Sequence, residues 1–266
     1  MERILSVKPD QSEFWSADDR RLIPGSSRSR ARAAEFALMS IKFRLVCATR
    51  EPRERFHTHT ALGRSLALLP YPFVEVRLFA SNSEGLPKLY NIALREAADD
   101  PAILVFLHDD VYIYDLYWPY HLNDALRSFD VVGLAGNKRR VPAQPAWCFL
   151  DDRWTLDDWT NLSGVVAHGT QWPPSKISYY GPPNQAVKLL DGLWIAVSSQ
   201  VLLAKNIAFD ERFEFHFYDV DLCRQLELNG LRVGTCGISV MHESPGNFNS
   251  TKWSAAYAAY LKKWRS

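Results

Sequence analysis

Three segments early in the chain have the pattern of β-strands, the first and third largely apolar and the second alternating, and polar residues follow each of them. The segments are FRLVCAT (residues 43–49), FVEVRLFA (73–80) and PAILVFL (101–107). Between the second and the third, LPKLYNIALREAADD (86–100) carries apolar residues at helical spacing. A strand, a helix and a strand in close succession predict an α/β fold whose sheet has parallel neighbouring strands.

The end of the third segment carries the most unusual group of residues, His108, Asp109 and Asp110. Two adjacent carboxylates repel each other unless a cation, a solvated loop or a helix end compensates. Polar residues also end the first two segments, at 49–51 and 81–84. Ligands of open α/β sheets collect beyond the carboxyl ends of the strands. We therefore expect the three polar ends to converge on one crevice.

The second half of the chain is less regular. Residues 137–185 are rich in proline, tryptophan and glycine, which predicts a loop-like, partly ordered wall over the crevice. Asp191–Gly192 between two apolar runs is a hairpin signal. Further along, the pattern predicts a helix from Asp219 to Asn229–Gly230, a strand in LRVGTCGISVM ending at His242, and a final amphipathic helix in WSAAYAAYLKKW (253–264).

Composition indicates which partners and which cellular compartment the sequence favours. Thirty-one basic and 30 acidic residues give a net charge of +1, so nothing favours a nucleic-acid partner. The longest apolar run, AILVFL, is too short for a transmembrane segment. The four cysteines lack metal-ligand spacing, and the first residues lack the pattern of a signal peptide. These observations predict a cytoplasmic protein, in which residues 1–40, with the Ser/Arg-rich GSSRSRAR, are an N-terminal extension on a domain spanning 41–266.

An ordered set of motifs resembles a known group of enzymes. FLHDDV, DGLWIAVS, FDERFEFHFYDVDLCRQLELNGLRV and MHES are similar to motifs of the nucleotide-sugar glycosyltransferases of the family-2-like group, and LVCATRE and SNSEGLPKLYNIALREA fit the nucleotide-binding half of that group. The resemblance spans residues 42–264 in the correct order. It implies a GT-A fold for residues 41–266, which is a Rossmann-like domain with a mixed, mostly parallel sheet flanked by helices.

The resemblance also implies a metal site. HDD occupies the place of the group's DxD motif, so Asp110 would bind a divalent cation that bridges the donor diphosphate, and Asp109 would contact the metal or the ribose. His108 would be a nucleotide contact or a positioning group, and His242 a further metal ligand. Oxygen ligands suit Mg²⁺ or Mn²⁺, and an imidazole favours Mn²⁺. The alternative is that the two aspartates only solvate the end of a strand.

The same resemblance implies a base and a donor site. Asp219 in YDVDL aligns with the catalytic base and Asp221 with a supporting aspartate, although acids at a helix N-terminus are also stabilised by its dipole alone. The residues expected to hold the nucleotide are Thr49, Arg50, Asn82 and Lys88.

On the acceptor side, the resemblance gives Asp191 a role that competes with the hairpin interpretation. His216 is either structural or an acceptor contact. Trp194 is one of several tryptophans that belong either to the core or to an acceptor channel, where sugars stack on aromatic rings.

The implied activity is that of a metal-dependent, inverting glycosyltransferase. It would move a sugar from a nucleotide-diphosphate donor to the hydroxyl of a glycan, a lipid-linked, a protein or a small-molecule acceptor. Two alternatives use the same residues: a metal-dependent phosphotransferase or nucleotide hydrolase, and a non-catalytic sugar-nucleotide or glycan-binding module. The sequence contains no GxxxxGK[ST] phosphate loop, which disfavours the first alternative.

Overall fold

The structure is a computed structural model that describes residues 41–244 and 250–265. The predicted N-terminal extension, residues 1–40, lies outside the described residues, so its boundary stays a prediction. In chain order, the strands are β1 (Phe43–Ala48), β2 (Val74–Phe79), β3 (Ile103–Leu107), β4 (Val111–Ile113), β5 (Val131–Gly133), β6 (Ala135–Asn137), β7 (Leu162–His168), β8 (Lys176–Gly181), β9 (Leu189–Leu190), β10 (Trp194–Ser198), β11 (Val233–Thr235) and β12 (Val240–His242). The helices are α1 (Phe56–His59), α2 (Ala61–Leu68), α3 (Leu86–Glu96), α4 (Trp118–Ser128), α5 (Ser199–Ala204), α6 (Tyr218–Leu228) and α7 (Thr251–Trp264).

The main sheet has six strands in the order β11-β5-β10-β3-β1-β2. Strand β1 is parallel to β2 and β3, and β11 is parallel to β5, whereas β10 is antiparallel to both of its neighbours. Every side chain of β1 is buried, as expected for a strand covered on both faces. The α/β class with a mixed, mostly parallel sheet is confirmed.

The reversed direction of β10 determines which residues reach the crevice. Trp194, the first residue of β10, pairs with Leu107, the last residue of β3. The segment just before β10 therefore lies at the carboxyl end of β3, and the backbone N–H of His108 donates to the carbonyl of Leu193 at 3.3 Å. As a result, Asp191 and Gly192 lie beside the HDD motif although they precede their strand.

A second sheet has the order β4-β12-β7-β6-β9, with β8 paired to β7. Strands β7 and β8 form an antiparallel pair, so the prediction that residues 137–185 are loop-like is wrong for these two segments. The hairpin interpretation of Asp191–Gly192 is also wrong, because β9 pairs with β6 in the second sheet and β10 belongs to the main sheet. Likewise, residues 231–241 form no single strand: β11 lies in the main sheet and β12 in the second.

The last two helices follow the predicted pattern. Helix α6 begins at Tyr218 and ends at Leu228, followed by Gly230 with a positive φ of 69°. The hydroxyl of Ser250 caps α7 by accepting from the backbone N–H of Trp253 at 3.1 Å. Within the described ranges, no helix has both the length and the apolar character that a membrane crossing requires.

Candidate functional site

Two histidines and an aspartate meet at the ends of three strands. His108 and Asp110 lie in the short connection between β3 and β4, and His242 ends β12, where it pairs with Val111 of β4. This register brings His242 Nε2 to 3.3 Å from Asp110 Oδ1, while His108 Nδ1 lies 4.0 Å from the same oxygen. One ligand atom from each residue lies within 4.8 Å of the others. We call these three residues the His-Asp-His group.

The charges in this group are mutually stabilised. Burial opposes ionisation of Asp110, but the neighbouring His242 and the charge of His108 outweigh it and hold the pKa of Asp110 to about 2. Burial lowers the pKa of His242, and contact with Asp110 reverses this effect, so that its pKa is raised overall. Burial dominates at His108 and lowers its pKa. Asp110 is therefore an anion at neutral pH beside a His108 ring that favours the neutral form.

The group fits a divalent cation. Asp110 Oδ1 is a buried carboxylate oxygen that accepts no hydrogen bond in the described part of the chain, and the contact at 3.3 Å with His242 lacks hydrogen-bond geometry. A carboxylate oxygen with an unused acceptor position, next to two imidazoles, is a donor set that Mn²⁺ and other divalent ions accept. Asp109 is not part of the group. Burial raises the pKa of Asp109, against the opposing effect of its hydrogen bond with Thr49.

Asp219 lies in the first turn of α6, where two backbone N–H groups hold its carboxylate. Its Oδ2 accepts from Gly192 at 3.0 Å and its Oδ1 from Val220 at 2.9 Å. Burial and the charge of Asp191 raise the pKa of Asp219 to about 7 despite these bonds. A carboxyl group that exchanges its proton near neutral pH has the property that a general base requires.

Asp221, two residues later, points elsewhere. Its side chain is fully buried, Oδ1 accepts from Trp264 Nε1 at 2.8 Å and pairs with Lys263 Nζ at 2.6 Å, and Oδ2 accepts from Gln225 at 2.9 Å. Both oxygens are therefore engaged by α6 and α7. This geometry favours a role in holding α7 over the predicted support of catalysis.

The residues predicted to hold the nucleotide lie at the ends of β1 and β2. The N–H of Asn82 donates to the carbonyl of Thr49 at 2.8 Å, which joins the two strand ends. The side chain of Asn82 is bonded to the backbone of Glu84, and Lys88 pairs with the carboxylate of Glu84 at 2.9 Å. Thr49 is buried, whereas Arg50 and Lys88 are exposed. In the structure Thr49 therefore lies beside Asp109, whereas Arg50 and Lys88 lie on the exposed rim of the crevice.

The three acceptor-side residues have different fates. Asp191 is half-buried, accepts from the N–H of Leu193 at 3.1 Å, and lies near enough to raise the pKa of both Asp219 and His242. Trp194 is fully buried in the core against Trp118, with ring centroids 5.7 Å apart, which corrects the predicted acceptor contact. His216 is half-buried, and burial lowers its pKa.

Three residues at the site were not identified from the sequence. The hydroxyl of Tyr218 donates to the carbonyl of Gly192 at 2.8 Å and lies 2.9 Å from His108 Nε2. The ring of Phe215, 49% exposed, stacks on His108 with centroids 5.7 Å apart. His168 is the register partner of His242, with ring centroids 6.3 Å apart. The aromatic run FEFHFYD before Asp219 is the one sequence signal that points to Phe215 and Tyr218.

Comparisons with known proteins add a family and two solved structures. The profile of a family described as "Glycosyltransferase like family" matches residues 73–263, more than half of the chain. A crystal structure of GalNAc-T7 with UDP, GalNAc and Mn²⁺ is similar with a TM-score of 0.47 and 10% identity, over 84% of this chain and 48% of that one. The crystal structure of A197 from STIV is similar with a TM-score of 0.42 and 13% identity, over 77% and 86% of the two chains. This chain thus spans about half the length of the GalNAc-T7 chain. No curated protein sequence matches it significantly.

Proposed function

The chain belongs to the glycosyltransferase-like family, and from that membership we propose that it is a metal-dependent, inverting glycosyltransferase of the GT-A type. It would move a sugar from a nucleotide-diphosphate donor to the hydroxyl group of an acceptor. The observation that carries the proposal is that the His-Asp-His group, which could hold a metal ion, and a carboxyl with a pKa of about 7 lie at one edge of the main sheet. The two are joined by the segment Gly192–Leu193, whose backbone bonds to Asp219 and to His108.

The His-Asp-His group is the proposed metal site. Asp110, His108 and His242 would hold Mn²⁺, or less favourably Mg²⁺, and the cation would supply positive charge to the diphosphate that leaves the sugar. Thr49 and Asn82 at the adjoining strand ends are proposed to contact the nucleotide, with Arg50 and Lys88 at the rim near its phosphates. Asp109, next to Thr49, is proposed to bind the ribose.

Asp219 is the proposed base. An inverting transfer proceeds in one displacement, so it needs one group that takes the proton of the attacking hydroxyl and no covalent intermediate. A carboxylate with a pKa of about 7 is strong enough for this and is still largely ionised at slightly alkaline pH. Asp191 and His216 would face the acceptor, which is a glycan, a lipid-linked sugar, a protein or a small molecule. The four free, buried cysteines support a reducing, cytoplasmic location as part of this proposal.

A thermal-shift panel of nucleotide-sugars and nucleoside diphosphates, each with and without Mn²⁺, tests the proposal. A ligand at about 100 times its Kd stabilises a protein by about 2.7 kcal/mol, which raises the Tm by roughly 5–10 °C at this size. We expect one nucleotide class to reach this shift with Mn²⁺, and EDTA to remove most of it.

Two variants separate the roles at the proposed site. Asp110→Asn should abolish the shift because it removes the charged ligand, whereas Asp219→Asn should keep most of the shift and lose sugar transfer. Absence of any shift in the wild-type protein refutes the proposal. Phosphoryl transfer instead of sugar transfer identifies a phosphotransferase or hydrolase, and tight binding of a donor that is never turned over identifies a binding module.

A further inference from the structure

The hydroxyl group of Tyr218 connects the proposed metal site to the proposed base. Tyr218 is buried, and its ring packs against Tyr90 and Phe209 with centroids 5.9 and 6.1 Å away. Its hydroxyl oxygen lies 2.8 Å from the carbonyl oxygen of Gly192 and 2.9 Å from His108 Nε2. The apolar surroundings of this phenol hold its hydroxyl between the carbonyl and the imidazole.

Counting hydrogens determines the protonation pattern of this chain of contacts. A phenol has one hydrogen to donate, and a carbonyl oxygen can only accept. The hydroxyl of Tyr218 therefore donates to Gly192, and its oxygen must accept the hydrogen on His108 Nε2. In a neutral imidazole this leaves Nδ1 with its lone pair free, and Nδ1 is the nitrogen that lies 4.0 Å from Asp110 Oδ1. The nitrogen with the free lone pair is thus the one nearer to Asp110 in the His-Asp-His group.

Gly192, which bonds to Tyr218, also bonds to Asp219. The N–H of Gly192 donates to Asp219 Oδ2 at 3.0 Å, while the carbonyl of Gly192 accepts from Tyr218. A Cβ atom at position 192 would lie 2.5 Å from the hydroxyl oxygen of Tyr218 and 3.2 Å from Cβ of Asp219. Only glycine permits this close approach, so Gly192 fits between two consecutive residues of α6.

We propose that Tyr218 is a positioning residue: it fixes His108 in the Nε2–H tautomer, presents Nδ1 to the cation, and ties this ligand through Gly192 to Asp219. The inference rests on the proposed function, because it assigns the hydrogen-bond partner of a proposed metal ligand. Partners of this kind set the tautomer and orientation of ligating histidines, and their loss costs about 10–100-fold in metal affinity.

The experiment uses the full chain and two measurements. The first is the tautomer of His108 in the metal-free wild-type protein, read from long-range ¹H–¹⁵N NMR of ¹⁵N-histidine-labelled protein, with His108→Gln to assign the signal. The second is the Mn²⁺ affinity of Tyr218→Phe by calorimetry with Mn²⁺ alone. Tyr260→Phe is the matched control, because Tyr260 is equally buried and its ring contacts Phe213 and Phe217 on the α7 side, away from His108.

We expect the Nε2–H tautomer in the wild-type protein, a roughly 10–100-fold weaker Mn²⁺ affinity in Tyr218→Phe, and wild-type affinity in Tyr260→Phe. An Nδ1–H tautomer in the wild-type protein overturns the inference even if Tyr218→Phe does not fold. So does a folded Tyr218→Phe protein with unchanged affinity, and in both cases the proposed function survives if the wild-type protein binds Mn²⁺. A wild-type protein that binds no Mn²⁺ overturns the inference and the proposed metal dependence together.

Discussion

Asp219 lies in an environment unlike that of an ordinary surface carboxylate, because burial and the charge of Asp191 raise its pKa to about 7. The proposed base acts only when ionised, so kcat should fall as the pH drops below about 7. Asp219→Asn should lose about 10²–10⁴ in rate.

Asp191→Asn should shift the acidic limb of the pH profile to lower pH, since it removes one cause of the raised pKa of Asp219. A profile centred near pH 4 in the wild-type protein contradicts the assignment.

The same raised pKa has a consequence for folding. Its value in the folded state exceeds that of an aspartate in the unfolded chain, about 3.9. Between these two values the folded state binds the extra proton, so the free energy of unfolding contributed by Asp219 decreases as the pH rises from about 4 to about 7. The group on which the proposed chemistry depends is therefore kept at some expense of stability.

The location of single residues was more predictable than the orientation of their side chains. The HDD motif was noticed because it follows a strand, whereas His242 and Asp219 were assigned by resemblance to a known group of enzymes. Trp194 shows the limit of this reasoning, since composition cannot reveal which face of a strand a tryptophan occupies. The contact between Tyr218 and Gly192 was missed because it joins residues 26 positions apart and exists only after α6 packs on the segment before β10.

At the scale of the elements, one of the contacts that hold α7 to α6 is made by a buried carboxylate, beside the stacking of Arg224 on Trp264. Asp221 accepts from Trp264 and pairs with Lys263, both in the last turn of α7. Asp221→Asn removes the charge that Lys263 faces, and hydrogen bonds to charged groups contribute about 1.5–3 kcal/mol each. We expect the Tm to fall by several degrees, with Mn²⁺ affinity unchanged.

The control for this prediction is Glu214→Gln, which breaks an exposed ion pair with Lys252 at 3.5 Å. Exposed pairs contribute about 0–1 kcal/mol, so its Tm should barely change. If Asp221→Asn instead keeps the wild-type Tm and loses sugar transfer, Asp221 supports catalysis as the sequence resemblance implied.

Elements with a clear period were predicted, and those with mixed patterns were not. Strand β3 is a continuous apolar run, β1 is an apolar run interrupted only by Arg44, and α3 has a helical stripe of apolar residues, so each was found within a few residues. Strands β7 and β8 were not found, because Gly164 interrupts β7 and two apolar residues of β8, Ile177 and Tyr179, are about 60% exposed. Gly164 has a φ of 111°, and a Cβ there would lie 2.1 Å from the carbonyl oxygen of Leu134. The structure thus explains why this position is a glycine, which the sequence alone does not.

At the scale of the whole described domain, the chain passes from the second sheet to the main sheet between β9 and β10, and Gly192 lies in that passage. Gly192→Ala would place a methyl group against the buried Tyr218, and overpacking of this kind costs roughly 1–3 kcal/mol. We expect a lower Tm and a weaker Mn²⁺ affinity together, measured by thermal denaturation and calorimetry. Gly237→Ala is the control, because Gly237 is exposed and a Cβ there would meet only the ring of Pro183 at 3.2 Å. Unchanged Mn²⁺ affinity in a folded Gly192→Ala protein would show that the passage does not position the site.

The two bonds of Gly192 lie between the proposed metal site and the proposed base. If a cation bound near His108 favours the ionised form of Asp219, reciprocity requires that ionisation of Asp219 favour cation binding by the same factor. The affinity for Mn²⁺ should accordingly increase with pH across the titration of a carboxylate that does not touch the ion. In such an enzyme, binding of the cation would itself increase the ionised fraction of Asp219, so that the metal site and the base would become active together.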